Sequence, residues 1–314
     1  MTKPDLLMIG PMNDHVTAEL DRDFTIHRYW QADDRAALLD RLAPTTRHVA
    51  TGGHHGCSAE VIEALAKLEL IASFGVGYDA VDVDAARGAG VSVTNTPNVL
   101  NDCVAEVTLM LMLALAHRLP QADAYVRAGR WAREGGFPLT DELTGKRVGI
   151  LGLGRIGKEI ARRLQVLKME VVYHGRRRQA HEPFPYYDDL EAMARDVDWL
   201  VVIAPGSKET EGIVSRRVME ALGPEGCLVN VARGSLVDEP AMVEMLGARA
   251  LGGAALDVFA NEPEVPEALF ALDNVVLLPH QGSATHKTRR MMGDLVVANL
   301  RAHLKGEPLL SPVV

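Results

Sequence analysis

Short apolar runs alternate with longer helical patterns along most of the chain, which is typical of parallel strands joined by crossover helices. In the first third of the sequence, four such runs predict strands at residues 6–10, 48–51, 70–75 and 91–95. Six more predict a second series at residues 147–152, 170–174, 199–204, 227–232, 252–259 and 275–280. The pattern therefore predicts an α/β protein with two doubly wound parallel-sheet domains.

Helical patterns fill the gaps between these strands. Residues 104–119 form the most apolar stretch and predict a buried helix, and residues 287–306 predict an amphipathic helix that packs back on the first sheet. The chain would then cross twice between the domains. We expect one domain of residues 1–97 and 286–314 and a second domain of residues 98–285.

Composition and charge narrow the function classes. The chain has 314 residues, of which 47% are hydrophobic and 24% charged, enough for two packed cores. A net charge of −9 argues against nucleic acid as a partner, because such binding depends on neutralising phosphates. The three cysteines lack the spacing of a zinc site or a disulfide framework, so no metal is expected. Without a signal peptide or an apolar run that would span a bilayer, the sequence predicts a cytoplasmic location and no membrane partner.

A glycine motif, GLGRIG, directly follows a predicted strand and opens a predicted helix. That context makes it a dinucleotide-binding fingerprint. Gly152 would allow the tight turn, Gly154 the close approach of a pyrophosphate, and Gly157 the packing of helix on strand. The N–H groups of Arg155 and Ile156 would then face the phosphates at the positive end of the helix.

The next predicted strand ends in HGRRR, with Gly175 where NAD-binding proteins carry an acidic residue for the ribose hydroxyls. A carboxylate there would repel a 2′-phosphate, whereas arginine pairs with it. The sequence therefore predicts NADP as the cofactor, with Arg176 and Arg177 at its 2′-phosphate. Arg178 is expected to be solvated, and a solvated turn is the alternative for the whole run.

Charged residues of different types follow the later strands, at the edge where open α/β sheets bind their ligands. Arg233 follows one strand, Asp257 and Glu262 follow the next, and His280 follows the last. A single residue of this kind is usually structural. Different charged types at three successive strand ends indicate an active site.

The chain resembles the D-isomer-specific 2-hydroxyacid dehydrogenases over nearly its whole length. The resemblance lies in SFGVGYDAVDVDAARGAGVSVTNTPNVLNDCVAE, LTGKRVGILGLGRIGKEIARRL, VNVARGSLVDE, LGGAALDVFANEPEVPEAL and NVVLLPHQGSAT. Within that family the chain is most similar to NADP-preferring glyoxylate and hydroxypyruvate reductases, and also to plant hydroxyphenylpyruvate reductases. The resemblance implies a flavodoxin-like substrate domain at residues 1–97 and 286–314, a Rossmann-type NADP-binding domain at residues 98–285, and a homodimer joined through the cofactor domains.

The family's catalytic roles fall on Arg233, Glu262 and His280. Hydride transfer to a ketone leaves negative charge on the carbonyl oxygen, so a proton donor is needed there, and histidine ordinarily titrates near neutral pH. We expect His280 to donate that proton, Glu262 to fix its tautomer, and Arg233 to hold the carboxylate of a 2-oxo acid. Backbone N–H groups at Val76 and Gly77 would bind the same carboxylate, with a plain turn as the alternative.

Further cofactor contacts follow from the resemblance. Asp257 would hydrogen-bond the carboxamide of the nicotinamide, with a structural role at the strand end as the alternative. The whole expected cofactor set is Gly152, Gly154, Arg155, Ile156, Gly157, Gly175, Arg176, Arg177, Pro205, Val231, Arg233, Asp257, His280 and Gly282. The expected substrate set is Val76, Gly77, Arg233 and His280.

Together these residues predict an NADPH-dependent reductase that converts glyoxylate to glycolate and hydroxypyruvate to D-glycerate. One alternative is a reductase of bulkier aryl 2-oxo acids such as hydroxyphenylpyruvate. The other is a non-enzymatic, cofactor-sensing corepressor or scaffold, because folds are reused for protein binding. Retention of Arg233, Glu262 and His280 argues against that second alternative.

Overall fold

The computed structural model of the protein describes residues 3–314. They form two compact units. Unit 1 comprises the chain up to Leu100 together with Thr285–Val314, and unit 2 comprises Asn101–Ala284. The sequence places these boundaries at 97/98 and 285/286, and the structure divides the chain at 100/101 and 284/285.

Unit 1 is built on a five-stranded parallel sheet with the strand order β2-β1-β3-β4-β5. Its strands are β1 (Asp5–Met8), β2 (Thr25–Arg28), β3 (His48–Gly52), β4 (Leu70–Phe74) and β5 (Ser92–Thr94). Its helices are α1 (Asp14–Asp23), α2 (Arg35–Leu42), α3 (Ala59–Ala64), α4 (Val83–Gly88) and the last helix of the chain, α12 (His286–Leu304), with a 3-10 turn at Tyr29–Gln31. The predicted return of the last helix to the first sheet is confirmed.

Alternate residues of β1 belong to different apolar layers, as the two-residue period of a strand requires. Leu6 and Met8 lie in the layer that contains Val296 and Leu300 of α12. Leu7 lies in the opposite layer, which contains residues of α2 and α3. The strand is therefore buried on both faces, which explains why it is a continuous apolar run in the sequence.

Unit 2 contains a seven-stranded sheet in which every pair is parallel, with the order β12-β11-β10-β9-β6-β7-β8. Its strands are β6 (Arg147–Leu151), β7 (Glu170–His174), β8 (Tyr186–Tyr187), β9 (Trp199–Val202), β10 (Cys227–Asn230), β11 (Gly253–Leu256) and β12 (Val275–Leu277). Its helices are α5 (Asn101–Ala116), α6 (Leu119–Arg127), α7 (Arg130–Glu134), α8 (Arg155–Val166), α9 (Leu190–Arg195), α10 (Arg216–Leu222) and α11 (Glu239–Gly247), with 3-10 turns at Gly234–Leu236 and Glu267–Leu269. The predicted fold class, two parallel-sheet α/β domains, is confirmed.

The apolar stretch predicted as one helix over residues 104–119 contributes to two helices. The break falls at Arg118, which has a left-handed backbone conformation with φ 49°. Pro120 lies in the first turn of α6, where its missing N–H costs no helical hydrogen bond. Among residues 3–314, no single helix is both long and apolar enough to cross a membrane; α5 and α6 meet that requirement only as a pair, bent by 62°.

Candidate active site

The charged residues predicted at strand ends follow three neighbouring strands of unit 2. Arg233 follows β10, Asp257 follows β11, and His280 follows β12. Because these strands are parallel and adjacent, their carboxyl ends lie at one edge of the sheet. This edge is where open α/β sheets bind ligands.

His280 and Glu262 form a direct pair at this edge. The Nδ1 atom of His280 lies 2.8 Å from Oε2 of Glu262, and both side chains are partly buried. The other carboxylate oxygen of Glu262 accepts a hydrogen bond of 3.1 Å from the N–H of Phe259. The carboxylate is therefore held from two sides, and it fixes the orientation of the imidazole ring.

Asp257 shapes the loop that carries His280. Its buried carboxylate accepts hydrogen bonds from the N–H groups of Gln281 and Gly282, and its carbonyl accepts one of 2.9 Å from the N–H of His280. Burial raises the pKa of Asp257 above its usual value, although the two hydrogen bonds to its carboxylate act in the opposite direction. His280 has a left-handed backbone with φ 52°, a conformation that is uncommon for non-glycine residues. Asp257 therefore stabilises a strained loop.

The turn that carries Arg233 is tied to the strand before it. Asn230 donates a hydrogen bond of 2.8 Å to the carbonyl of Arg233 and accepts one of 3.1 Å from the N–H of Ala232. Gly234 follows, and a Cβ atom at that position would lie 1.9 Å from the backbone of Phe259. The close contact therefore requires glycine and fixes the half-buried Arg233 beside the loop of Glu262.

The glycine loop has the geometry that the sequence predicts. Gly152 adopts φ +103°, and a Cβ there would lie 2.8 Å from the backbone of Ala204. A Cβ on Gly157 would lie 2.3 Å from the carbonyl oxygen of Gly152, so the helix packs directly on the turn.

Gly154 is the N-cap of α8. A Cβ atom there would meet nothing within 4 Å, and no side chain caps the helix. The first turn of α8 therefore lies open at its N-terminus, with Arg155 exposed and Ile156 half-buried.

The arginine turn, residues 175–178, is held at both ends by hydrogen bonds. Tyr186 donates through its hydroxyl to the carbonyl of Gly175 at 3.0 Å. On the other side, the N–H of Gln179 donates to the hydroxyl of Tyr173 at 2.7 Å, and its side-chain amide donates to the carbonyl of Leu153 at 2.7 Å. The turn is thus fixed to the middle of the glycine motif, while its three arginines are exposed.

A surface cavity lies beside the arginine turn. Arg178 is exposed, as expected of a solvated side chain, and together with Arg177 it lines this cavity of about 370 Å³. The rest of the lining is Lys158, Gln179, Ala180, His181 and Glu182. Lys158 lies 2.7 Å from Glu182, so one positive charge of this cavity is already balanced.

The loop after β9 lies near the same turn. Pro205 is exposed at its start, and the hydroxyl of Thr210 donates to the Pro205 carbonyl at 2.8 Å. A hydrogen bond with Ser207, together with the positive charges of Lys208 and Arg176, lowers the pKa of Glu209 below its usual range. This loop therefore adds both signs of charge beside Arg176.

The remaining predicted cofactor residues of unit 2 line the carboxyl edge of its sheet. Val231 is buried directly after β10. Gly282 is also buried, and its N–H donates a hydrogen bond of 2.7 Å to the carboxylate of Asp257. Gly175 follows β7, and a Cβ atom there would meet nothing within 4 Å. There is room for a side chain where the sequence lacks the usual acid.

In unit 1, Val76 and Gly77 lie half-buried in the loop that follows β4. The carbonyl of Val76 accepts a hydrogen bond of 2.9 Å from the side-chain amide of Asn95. Gly75 exchanges hydrogen bonds with Thr96 through both its N–H and its carbonyl. Sequence reasoning did not single out Asn95, Thr96 or Gln179; the polar pair directly after β5 was the available signal for the first two.

Comparisons with known proteins agree with this geometry. The family model described as D-isomer specific 2-hydroxyacid dehydrogenase, NAD binding domain, matches residues 109–282. A hydroxyphenylpyruvate reductase of Plectranthus scutellarioides is 47% identical over 309 residues, and a glyoxylate/hydroxypyruvate reductase of Arabidopsis thaliana is 44% identical over 309 residues; each alignment covers 98% of both chains.

A solved structure extends the similarity to three dimensions. It is the NADPH-dependent glyoxylate/hydroxypyruvate reductase of Sinorhizobium meliloti in complex with NADP and malonate. It matches with a TM-score of 0.94 and 44% identity, and the match covers 100% of this chain and 97% of that one.

Proposed function

Because the chain belongs to the D-isomer-specific 2-hydroxyacid dehydrogenase family and is an NAD(P)-dependent oxidoreductase, we propose that it reduces glyoxylate and hydroxypyruvate with NADPH. The products would be glycolate and D-glycerate. The observation that carries the proposal is the pairing of His280 with Glu262 at the carboxyl edge of the unit 2 sheet. An acid held in this way can protonate the oxygen of a carbonyl group as it is reduced.

Three residues of this chain have separate roles in such a reduction. NADPH, when bound, supplies the hydride that reaches the carbonyl carbon. His280 delivers a proton to the carbonyl oxygen from Nε2, since Nδ1 faces Glu262. The Glu262 carboxylate accepts from Nδ1 and so fixes the orientation of the ring. Arg233 binds the substrate carboxylate through charge-assisted hydrogen bonds and thereby orients the ketone.

The two amides at Val76 and Gly77 are proposed as a second set of donors to the substrate carboxylate. The argument is chemical: a 2-oxo acid presents two carboxylate oxygens, and main-chain N–H groups bind such oxygens without a charged side chain. Support comes from the loop itself: the carbonyls of Gly75 and Val76 accept hydrogen bonds, and within residues 3–314 neither the N–H of Val76 nor that of Gly77 donates one.

The preference for NADPH rests on the arginine turn. Arg176 and Arg177 are exposed beside Gly175, where a carboxylate would select against a 2′-phosphate. The open Gly154 and the uncapped start of α8 fit a pyrophosphate, because the first N–H groups of a helix attract anions. The remaining contacts of the cofactor set, Pro205, Val231, Asp257 and Gly282, are proposed from their positions after successive strands.

A second candidate substrate class is supported by one observation. The relative with 47% identity is a hydroxyphenylpyruvate reductase, so bulkier aryl 2-oxo acids are the alternative to glyoxylate and hydroxypyruvate. The carboxylate and carbonyl of both classes are the same, and the proposed roles of Arg233 and His280 would therefore be unchanged. Relative rates on the two classes separate these candidates.

A homodimer joined through unit 2 is part of the proposal. Large apolar side chains are exposed along α5–α7 and the loop that follows, namely Met110, Leu119, Val126, Trp131 and Leu139. Exposed apolar side chains gathered in one segment are typical of an interaction surface. A cytoplasmic location is proposed on the sequence argument given above.

The test of this function is replacement of the proposed acid. His280→Ala is expected to abolish NADPH oxidation with glyoxylate while NADPH still binds, measured by quenching of cofactor fluorescence. His117→Ala is the matched control, since His117 is exposed at the end of α5 and is expected to leave both unchanged. Turnover of His280→Ala at the wild-type rate would contradict the proposal.

A further inference from the structure

We propose that Asn95 and Thr96 are positioning residues that orient the two main-chain N–H groups of the substrate loop, residues 75–77. We further propose that a buried network through Ser311 and Asn299 holds Asn95 in place. The inference rests on the proposed function, because it gives these N–H groups the carboxylate of a 2-oxo acid as their ligand. Every contact that carries it lies within unit 1.

The first peptide group of the loop is fixed by Thr96. Its N–H donates to the carbonyl of Gly75 at 2.8 Å, and its hydroxyl accepts from the N–H of Gly75 at 3.1 Å. The carbonyl of Gly75 and the N–H of Val76 belong to one planar trans peptide, so they point in opposite directions. Fixing the carbonyl toward Thr96 therefore points the N–H of Val76 away from Thr96.

The second peptide group is fixed by Asn95 in the same way. The side-chain amide of Asn95 donates to the carbonyl of Val76 at 2.9 Å. The N–H of Gly77 shares that peptide plane and so points away from Asn95. Within residues 3–314 neither the N–H of Val76 nor that of Gly77 donates a hydrogen bond. Two neighbouring donors are thus oriented and available for a carboxylate.

Asn95 is itself anchored by the last residues of the chain. The hydroxyl of Ser311 donates to the carbonyl of Asn95 at 2.7 Å, and the N–H of Asn95 donates to the carbonyl of Ser311 at 3.3 Å. Next to this pair, Val313 and Val314 exchange backbone hydrogen bonds with Val93 of β5. The last residues therefore cover the edge strand and fix the backbone of Asn95.

Asn299 of α12 completes the network. Its side-chain amide donates to the hydroxyl of Ser311 at 2.9 Å, and its carbonyl oxygen accepts from the N–H groups of Leu310 and Ser311. Asn299 is 0% exposed and Ser311 8% exposed, so these polar groups have little access to water. A buried polar group that loses its partner costs free energy, which makes the network act as a unit. Helix α12 is thereby connected to the substrate loop.

The test compares two buried asparagines. Asn95→Ala removes the donor to Val76, and Asn274→Ala is the control, because Asn274 is equally exposed at 8% but bonds the backbone of unit 2 at Leu246 and Gly252. For the NADP-loaded enzyme, calorimetry with malonate as the carboxylate probe and steady-state rates with glyoxylate are measured. Asn95→Ala is expected to raise the malonate Kd and the glyoxylate KM by about tenfold, as loss of well-oriented hydrogen bonds to a charged ligand predicts. The NADPH KM stays unchanged, and Asn274→Ala changes none of these constants.

Ser311→Ala supplies a milder variant that removes a single hydroxyl. It is expected to raise the glyoxylate KM by a few fold in the wild-type background and not at all in the Asn95→Ala background, because Ser311 acts through Asn95. Equal effects in both backgrounds, or an Asn95→Ala enzyme with wild-type malonate affinity, would overturn the inference. Absence of glyoxylate reduction in the wild type would overturn the proposed function, while malonate binding to the two asparagine variants would still decide the role of Asn95.

Discussion

The Nδ1 atom of His280 lies 2.8 Å from the Oε2 atom of Glu262, and this pair joins the loop after β12 to the loop after β11. The two residues are 18 positions apart in sequence and come together because β11 and β12 are neighbours in a parallel sheet. The pairing directs Nδ1 to the carboxylate and leaves proton delivery to Nε2.

Replacing Glu262 with Gln keeps the size of the side chain and removes its charge. We expect kcat/KM for glyoxylate to fall by about 100-fold, the scale of general acid catalysis. The physical reason is that an amide holds the imidazole ring by a weaker hydrogen bond than a carboxylate does. The measurement is kcat/KM for glyoxylate with NADPH.

Glu264→Gln is the matched control for that prediction. Glu264 lies in the same loop, but its carboxylate accepts from the side chain of Asn261 at the exposed surface. Its kcat/KM for glyoxylate should equal that of the wild type. A Glu262→Gln enzyme with the kcat/KM of the wild type would exclude the proposed role of the carboxylate.

Gly175 determines the cofactor in this account, and the structure has room to test it. Gly175→Asp adds a carboxylate where a Cβ meets nothing within 4 Å, and φ there is outside the left-handed region, so the fold is expected to stay intact. The carboxylate should repel a 2′-phosphate and bind free ribose hydroxyls. We expect the ratio of kcat/KM for NADPH over NADH to fall by about 100-fold, equivalent to about 3 kcal/mol. Gly175→Ala is the control, and a ratio that drops equally in both variants would point to sterics instead of charge.

Gly154 provides a test of the pyrophosphate site that leaves the fold intact. Since a Cβ at Gly154 meets nothing within 4 Å, Gly154→Ala should unfold at the same temperature as the wild type. The added methyl group would, however, occupy the space that a pyrophosphate needs, and the NADPH KM should rise by about tenfold. Gly247→Ala in α11 also meets open space and should leave the KM unchanged. An unchanged KM in Gly154→Ala would place the diphosphate elsewhere.

Acid should destabilise unit 1 through His48. Burial, with the positive charges of His303 and Arg47, lowers the pKa of His48 from 6.5 to about 4. Between those pH values the unfolded chain binds more protons than the folded one, so stability is full above pH 6.5 and falls as pH drops toward 4. The loss should reach about 3 kcal/mol in the free energy of unfolding, given 1.36 kcal/mol for each pKa unit.

Denaturant unfolding at several pH values measures that loss. The glutamine of the His48→Gln variant cannot be protonated in this pH range, so the free energy of unfolding should depend less on pH. His15→Gln removes a half-buried histidine on α1 that pairs with Asp294, and it should leave the pH dependence of the unfolding free energy close to that of the wild type. If the free energy of unfolding of His48→Gln depended on pH as strongly as that of the wild type, other groups would cause the acid sensitivity.

Most strands could be predicted from sequence because a strand buried on both faces is a continuous apolar run. The exceptions are the edge strands β2 and β8. Residues Thr25–Arg28 of β2 are half-exposed and contain a single apolar residue, and β8 consists of two tyrosines, so neither carries that signal. The short helix α7 was not predicted either, because its five residues are too few to show a helical period.

The pairing of His280 with Glu262 follows from strand order, and the open position of Gly154 follows from the glycine motif, which is why both could be anticipated. The hydrogen bonds that hold the arginine turn and those of the Asn95 network could not be anticipated from the sequence. Gln179 reaches the carbonyl of Leu153 and Ser311 reaches Asn95 only after distant segments fold together, and no local pattern encodes such contacts. Polar side chains that bond the backbone of remote segments are visible only in the structure.

Initial rates with NADPH and with NADH, each against glyoxylate, hydroxypyruvate and phenylpyruvate, test the proposed cofactor and substrate class together. We expect faster oxidation of NADPH than of NADH, because Arg176 and Arg177 lie beside Gly175, where an acid would favour NADH. We also expect glyoxylate and hydroxypyruvate to be reduced faster than phenylpyruvate. A preference for NADH, or faster reduction of phenylpyruvate than of both small acids, would contradict the proposed function.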